Sequence, residues 1–176
     1  AMARRASAAG GVVRGGVART GDEPHRAAQV NLADPAATAA AVIAALNLAP
    51  HPEGGHYREV WRDVPADGAR GAGTAIHFLL DAGERSHWHR VDAAEIWLWQ
   101  GGGTLVLSLS EDGTRVDREV TLGPDLGGEA LMGVVPAGWW QAARPVDRRV
   151  LVACTVSPAF AFSGFELAPP EWEPGA

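Results

Sequence analysis

The chain has 176 residues, 47% of them apolar, with 22 glycines, 12 prolines and a formal charge of −6. This length suits one domain with a real core, and scattered basic residues under a negative total argue against a nucleic-acid partner. No apolar run approaches the roughly 18 residues that a membrane helix needs, so no membrane partner is expected.

Residues 1–33 are rich in Ala, Gly and Arg, carry five arginines against Asp22 and Glu23, and show no apolar period. They read as a disordered or loosely packed leader. Arg14 and Arg19 interrupt any secretory apolar core, which argues against a signal peptide. The remainder carries ten basic and nineteen acidic residues. Asp34-Pro35 supplies an N-cap and a first-turn proline, and Ala39, Val42, Ile43 and Leu46 then share one face of a short amphipathic helix. Asn47 and Pro50 end it.

The segment Pro50-His51-Pro52-Glu53-Gly54-Gly55 forces an irregular lead-in to a strand over His56–Arg62. Glu53 there reads either as a cap on turn amides or as a ligand-binding carboxylate. A second strand is expected over Thr74–Leu80, with His77 on the face of Ala75 and Leu79. His77 is either structural or a lining residue of a cavity.

His87 and His89 stand two apart, so on a regular strand both imidazoles share one face, about 7 Å apart. Glu95 opens the next apolar run, in which Glu95, Trp97 and Trp99 share a face. If these strands adjoin in a closed barrel, two imidazoles and a carboxylate converge, a donor set that holds a divalent metal with positions to spare. Against this, His-x-His is common by chance, and most strand histidines are hydrogen-bonded core or surface residues.

Further strands follow over Thr104–Leu109, Arg115–Leu122, Leu131–Val135 and Val150–Val156, with Asp112-Gly113 as a hairpin turn. Trp139 and Trp140 are adjacent, so one faces in and one out. Arg90 reads as a salt-bridge partner. Cys154 is the one cysteine and sits in an apolar run, which excludes an intramolecular disulfide and argues against a reactive thiol. Together with the missing signal peptide, it suits a cytoplasmic setting. Eight to ten short strands and one helix define an all-β sandwich or barrel. The expected organisation is a leader over 1–33, a folded domain over 34–168 and a tail over 169–176.

Gly83-x3-His87-x-His89-x5-Glu95-x6-Gly102 resembles the first motif of cupins. Pro136-x-Gly138-x2-Gln141 resembles the second, with Gln141 where a His is usual. Pro50–Gly55, Trp88-His89-Arg90-Val91, Glu95-Ile96-Trp97, Val134–Gly138 and Trp140-Gln141-Ala142 together resemble the largely uncharacterised "cupin-5" family across residues 50–154. The resemblance implies a double-stranded β-helix, the jelly-roll barrel, with one short N-terminal helix here, and a homodimer. His56 and His77 stand where that family is expected to be aromatic, His87 where it is often small, and Leu98 where it tends to have His. Gln141 offers a neutral amide oxygen, a weaker ligand for a transition metal than imidazole.

Three functions are weighed. The first is an enzyme acting on a small-molecule substrate through a divalent transition metal (Fe, Mn, Ni or Zn) on His87, His89 and Glu95. There His56 or Gln141 completes the shell, Trp97 and Trp99 form apolar walls, and the chemistry is isomerisation, oxygenation or proton transfer. The second is metal-free acid–base catalysis of the epimerase or isomerase kind, pairing His56, His77 or His89 with Glu95 or Glu53. The third is a binding module without turnover.

Overall fold

A computed structural model describes residues 30–175. The helix α1 spans Ala39–Leu46 and starts four residues after the expected Asp34-Pro35 cap. Thr38 is the N-cap, its hydroxyl accepting from the Ala41 N–H, while Asp34 instead closes a turn onto Ala36. Asn47 ends the helix in the left-handed conformation at φ 52°.

Eleven strands follow: β1 (Ala49–Pro50), β2 (His56–Arg62), β3 (Thr74–Leu80), β4 (Ser86–Val91), β5 (Ala94–Gly102), β6 (Leu105–Ser110), β7 (Arg118–Leu122), β8 (Met132–Val135), β9 (Trp140–Pro145), β10 (Val150–Ser157) and β11 (Phe165–Leu167). They form two antiparallel sheets, ordered β1-β2-β3-β10-β5-β8 and β11-β4-β9-β6-β7. The sheets face one another as a jelly-roll barrel. Alternation puts Phe78, Leu80, Trp97, Val150 and Val152 of the first sheet against Leu105, Leu107 and Leu109 of the second. Each such side chain contributes about 1.5–3 kcal/mol by leaving water.

The other face of the six-stranded sheet carries Leu79 and Leu151, which pack under Ala39 and Val42 of α1. Val30 and Leu32, placed in the leader by sequence, join this cluster. The rest of the expected leader, residues 1–29, lies outside the described residues. In the segment expected as a tail over 169–176, Trp172 packs on Trp140 at 4.6 Å and edge-on to Trp88 at 6.1 Å, and Glu173 accepts the Trp88 indole N–H. Trp140 is the outward member of its pair and is covered by this segment, while Trp139 packs against the central core.

Among the described residues no helix is long and apolar enough to cross a membrane.

Candidate active site

The central core fills one end of the barrel, and a cavity of about 230 Å³ opens at the other. His51 and Glu53 of the lead-in, His89 of β4, Glu95 of β5 and Cys154 of β10 line its floor. Two glycines make this geometry possible. Gly54, at φ +111°, lies so close to the Arg85 carbonyl that a Cβ would sit 2.2 Å from its oxygen, and Gly55 is similarly confined by the Leu79 carbonyl. The lead-in therefore folds flat against β3 and β4, and the His87 N–H donates to the Glu53 carbonyl at 2.7 Å.

Glu53 is the hub. Its Oε1 accepts from the buried Ser86 hydroxyl at 3.0 Å. Its Oε2 lies 3.2 Å from His89 Nε2 and 3.5 Å from His51 Nδ1. The hydrogen-bond partners fix both rings. His89 Nδ1 faces the His87 carbonyl at 2.8 Å, and a carbonyl only accepts, so Nδ1 carries the hydrogen and Nε2 the lone pair. His51 Nδ1 accepts the Glu53 backbone N–H at 3.4 Å, so it too presents a lone pair. A carboxylate oxygen between two lone pairs would be repelled by both. A protonated carboxyl satisfies the arrangement by donating to His89.

The electrostatics agree. Burial raises the Glu53 pKa to about 8 against the opposing Ser86 hydrogen bond. Burial pushes the His89 imidazole down, and burial with the neighbouring His89 lowers His51 to about 4. The close His89–Glu53 contact is thus a hydrogen bond between neutral groups, not an ion pair.

Glu95 is held from the other side. The Trp97 indole N–H donates to Gln141 Oε1 at 2.8 Å, which orients the amide so that Gln141 Nε2 donates to Glu95 Oε2 at 2.7 Å. Burial still raises Glu95 to about 7, with the His89 interaction working against it. Burial also raises the Cys154 thiol well above its usual range.

Several expected site residues lie elsewhere. His87 does not share the face of His89, because β4 carries an extra residue against β9: Ser86 pairs with Ala143 and His89 with Gln141. This bulge turns His87 outward, where its ring meets Arg85 at 2.7 Å and the Pro169 carbonyl at 2.9 Å. The expected set His87, His89 and Glu95 therefore does not meet at one point. His56 and His77 alternate with Tyr57 and Phe78, which line the cavity, so both histidines occupy the opposite face of their sheet. Trp97 and Trp99 point inward but belong to the packed core and do not line the cavity. Gln141 is fully buried behind Glu95. Of the expected residues, His89, Glu95 and Glu53 come together. His51 joins them from the Pro50–Gly55 lead-in, and its position two residues before Glu53 is the sequence signal for it.

The donor types on the floor, two imidazoles and two carboxyls, suit a transition metal. In this arrangement Glu53 Oε2 occupies the His89 lone pair and the Glu53 backbone N–H that of His51, so an ion would have to displace Glu53. Among the described residues, no group of three or more His, Cys, Asp or Glu side chains is arranged to hold a metal ion.

A double-stranded β-barrel with a polar floor at one end defines a cupin. The family model for the Cupin superfamily Cupin_5 (DUF985) matches residues 40–168, and the chain belongs to that family. It is similar to a crystal structure of a Shewanella oneidensis protein, at 37% identity over 74% of this chain and 84% of that one, with a TM-score of 0.69. It is also similar to a hypothetical protein from Leishmania major, at 32% identity over 77% and 89%, with a TM-score of 0.67. Oxalate decarboxylase from Bacillus subtilis shares the fold at 15% identity, covering 67% of this chain and 29% of that one, with a TM-score of 0.52. No curated protein matches this chain.

Proposed function

We propose that this cupin acts on a small organic metabolite by moving a proton at a carbon next to a carbonyl, as an isomerase or epimerase. The observation that carries the reading is Glu53 Oε2 between the His89 and His51 lone pairs, on the floor of an apolar-walled cavity. On substrate binding the protonated Glu53 turns its hydrogen from His89 to the substrate carbonyl oxygen and gives it up as Glu95 takes the proton from the adjacent carbon. The C–H electron pair moves into the C–C bond and the carbonyl π pair onto oxygen, giving a neutral enol. Return of the proton to the same carbon on the other face, or to a neighbouring one, completes epimerisation or isomerisation with no oxidant or reductant. Two carboxyls titrating near 7 and 8 hold the required states together at neutral pH.

Deuterium uptake from D₂O by a panel of ketones, keto acids and keto sugars tests this. At least one compound should exchange above background, and Glu53→Gln and Glu95→Gln should each slow it about a hundredfold or more. No exchange across the panel, or unchanged rates in both variants, overturns the reading.

One observation favours a second reading, a divalent metal (Fe, Mn, Ni or Zn). The Nδ1–H of His89 is anchored to a carbonyl, the way a ligating imidazole is commonly oriented. The Mn(II) centres described for Bacillus subtilis oxalate decarboxylase keep it in view. Near-stoichiometric transition metal in purified protein, lost in Glu95→Gln, would put this reading first.

A homodimer in the cytoplasm completes the proposal. Ile96 and Leu98 are half-buried and Met132 and Val134 exposed on the outer face of the six-stranded sheet, which supports self-association through that face.

A further inference from the structure

The walls of the cavity say more about its ligand than the floor does. Phe160, Phe162 and Phe165 stand at one side, mutually edge-on with ring centroids 5.1–6.2 Å apart, and Phe165 also lies 5.6 Å from the His89 ring. Tyr57 and Phe78 also line the cavity. Aromatic faces at this density select a flat apolar ring.

The charge around this lining is already spent. Arg62 is the only Lys or Arg on the cavity wall among the described residues. It forms two hydrogen bonds to the Glu59 carboxylate, at 2.9 and 2.6 Å, and a third to the Phe160 carbonyl at 2.8 Å. An anionic ligand would find no free cation, and a desolvated anion without one is costly. At about 230 Å³ the cavity is also smaller than the roughly 300–1,000 Å³ that drug-sized ligands fill.

We infer that the cavity takes a single-ring carbonyl compound without an anionic group, its ring among Phe160, Phe162 and Phe165 and its carbonyl oxygen at Glu53. The orientation rests on the proton-transfer reading; the charge and size of the ligand do not. Phosphorylated, nucleotide-linked and carboxylate substrates are excluded.

Saturation-transfer NMR on the full chain tests this with acetophenone, benzoate and thymidine diphosphate as probes. Acetophenone should bind and the two anionic probes should not. Phe162→Ala should weaken acetophenone about tenfold. Phe162 is 63% exposed, so its removal spares the fold. Binding of either anionic probe as tight as that of acetophenone, no binding of acetophenone, or equal acetophenone affinity in Phe162→Ala overturns the inference. A neutral ketone that binds without exchanging deuterium sinks the proton-transfer reading and leaves this one. Exchange confined to charged keto acids does the reverse.

Discussion

Glu53 is tuned by burial with only a hydroxyl and two uncharged rings for company, and that has a consequence for stability. A carboxyl whose pKa is raised on folding binds more protons in the folded than in the unfolded chain, so its stabilisation is present at low pH and lost as pH rises through the folded value. The lowered histidines act in the opposite direction, but only up to their unfolded pKa near 6.5. Between pH 6.5 and about 8 only the carboxyls are in play, so thermal stability should fall across that interval. Melting temperatures of Glu53→Gln should show a shallower fall; an identical slope would mean Glu53 is not protonated in the folded state. Gln141→Leu should cost about 1–3 kcal/mol in chemical denaturation, because it leaves the buried Trp97 N–H without its acceptor. At this scale the sequence was only partly legible. His89 and Glu95 sit on strands, whose alternation tells which way a side chain points. His51 and Glu53 sit between prolines and glycines, where no period exists and a turn cap looks the same as a catalytic acid.

Strands were read far better than the segments that join them. β2 and β3 coincide with the expected His56–Arg62 and Thr74–Leu80, since β-branched and aromatic runs bounded by glycine and proline leave little choice. β7 begins three residues later than expected, because Arg115 and Asp117 pair with each other in the hairpin loop. The two-residue β1 and three-residue β11 are too short to carry a period and exist because neighbouring edges offer hydrogen bonds. The lead-in can be tested as a unit. Gly54→Ala places a Cβ against the Arg85 carbonyl at a positive φ, and should cost about 2 kcal/mol or more while displacing His51 and Glu53 from the cavity. Denaturation together with acetophenone binding checks this; a stable variant with unchanged affinity would show that the flat lead-in is not what positions the floor.

Among the described residues the barrel is covered on one side by residues 30–46 and on another by the segment around Trp172. Cupin architecture was legible from motifs in series, whereas the coverings were not, because Val30, Leu32 and Trp172 lie in stretches without an apolar period. Trp172→Ala should lower stability by about 1–3 kcal/mol and alter the fluorescence of Trp88 and Trp140, with which it packs. Light scattering should give twice the chain mass, and the pair Leu98→Glu with Val134→Lys should halve it without loss of β-structure; a monomeric parent would leave the exposed sheet face for another role.

The additional residue in the fourth strand reaches beyond this one protein. Which of two neighbouring imidazoles enters a barrel is decided by phase, and phase is inherited from the ladder on the adjoining strand. Two relatives with the same side chains along this stretch, differing by a single insertion upstream of His89, would therefore present different reagents to the same guest molecule.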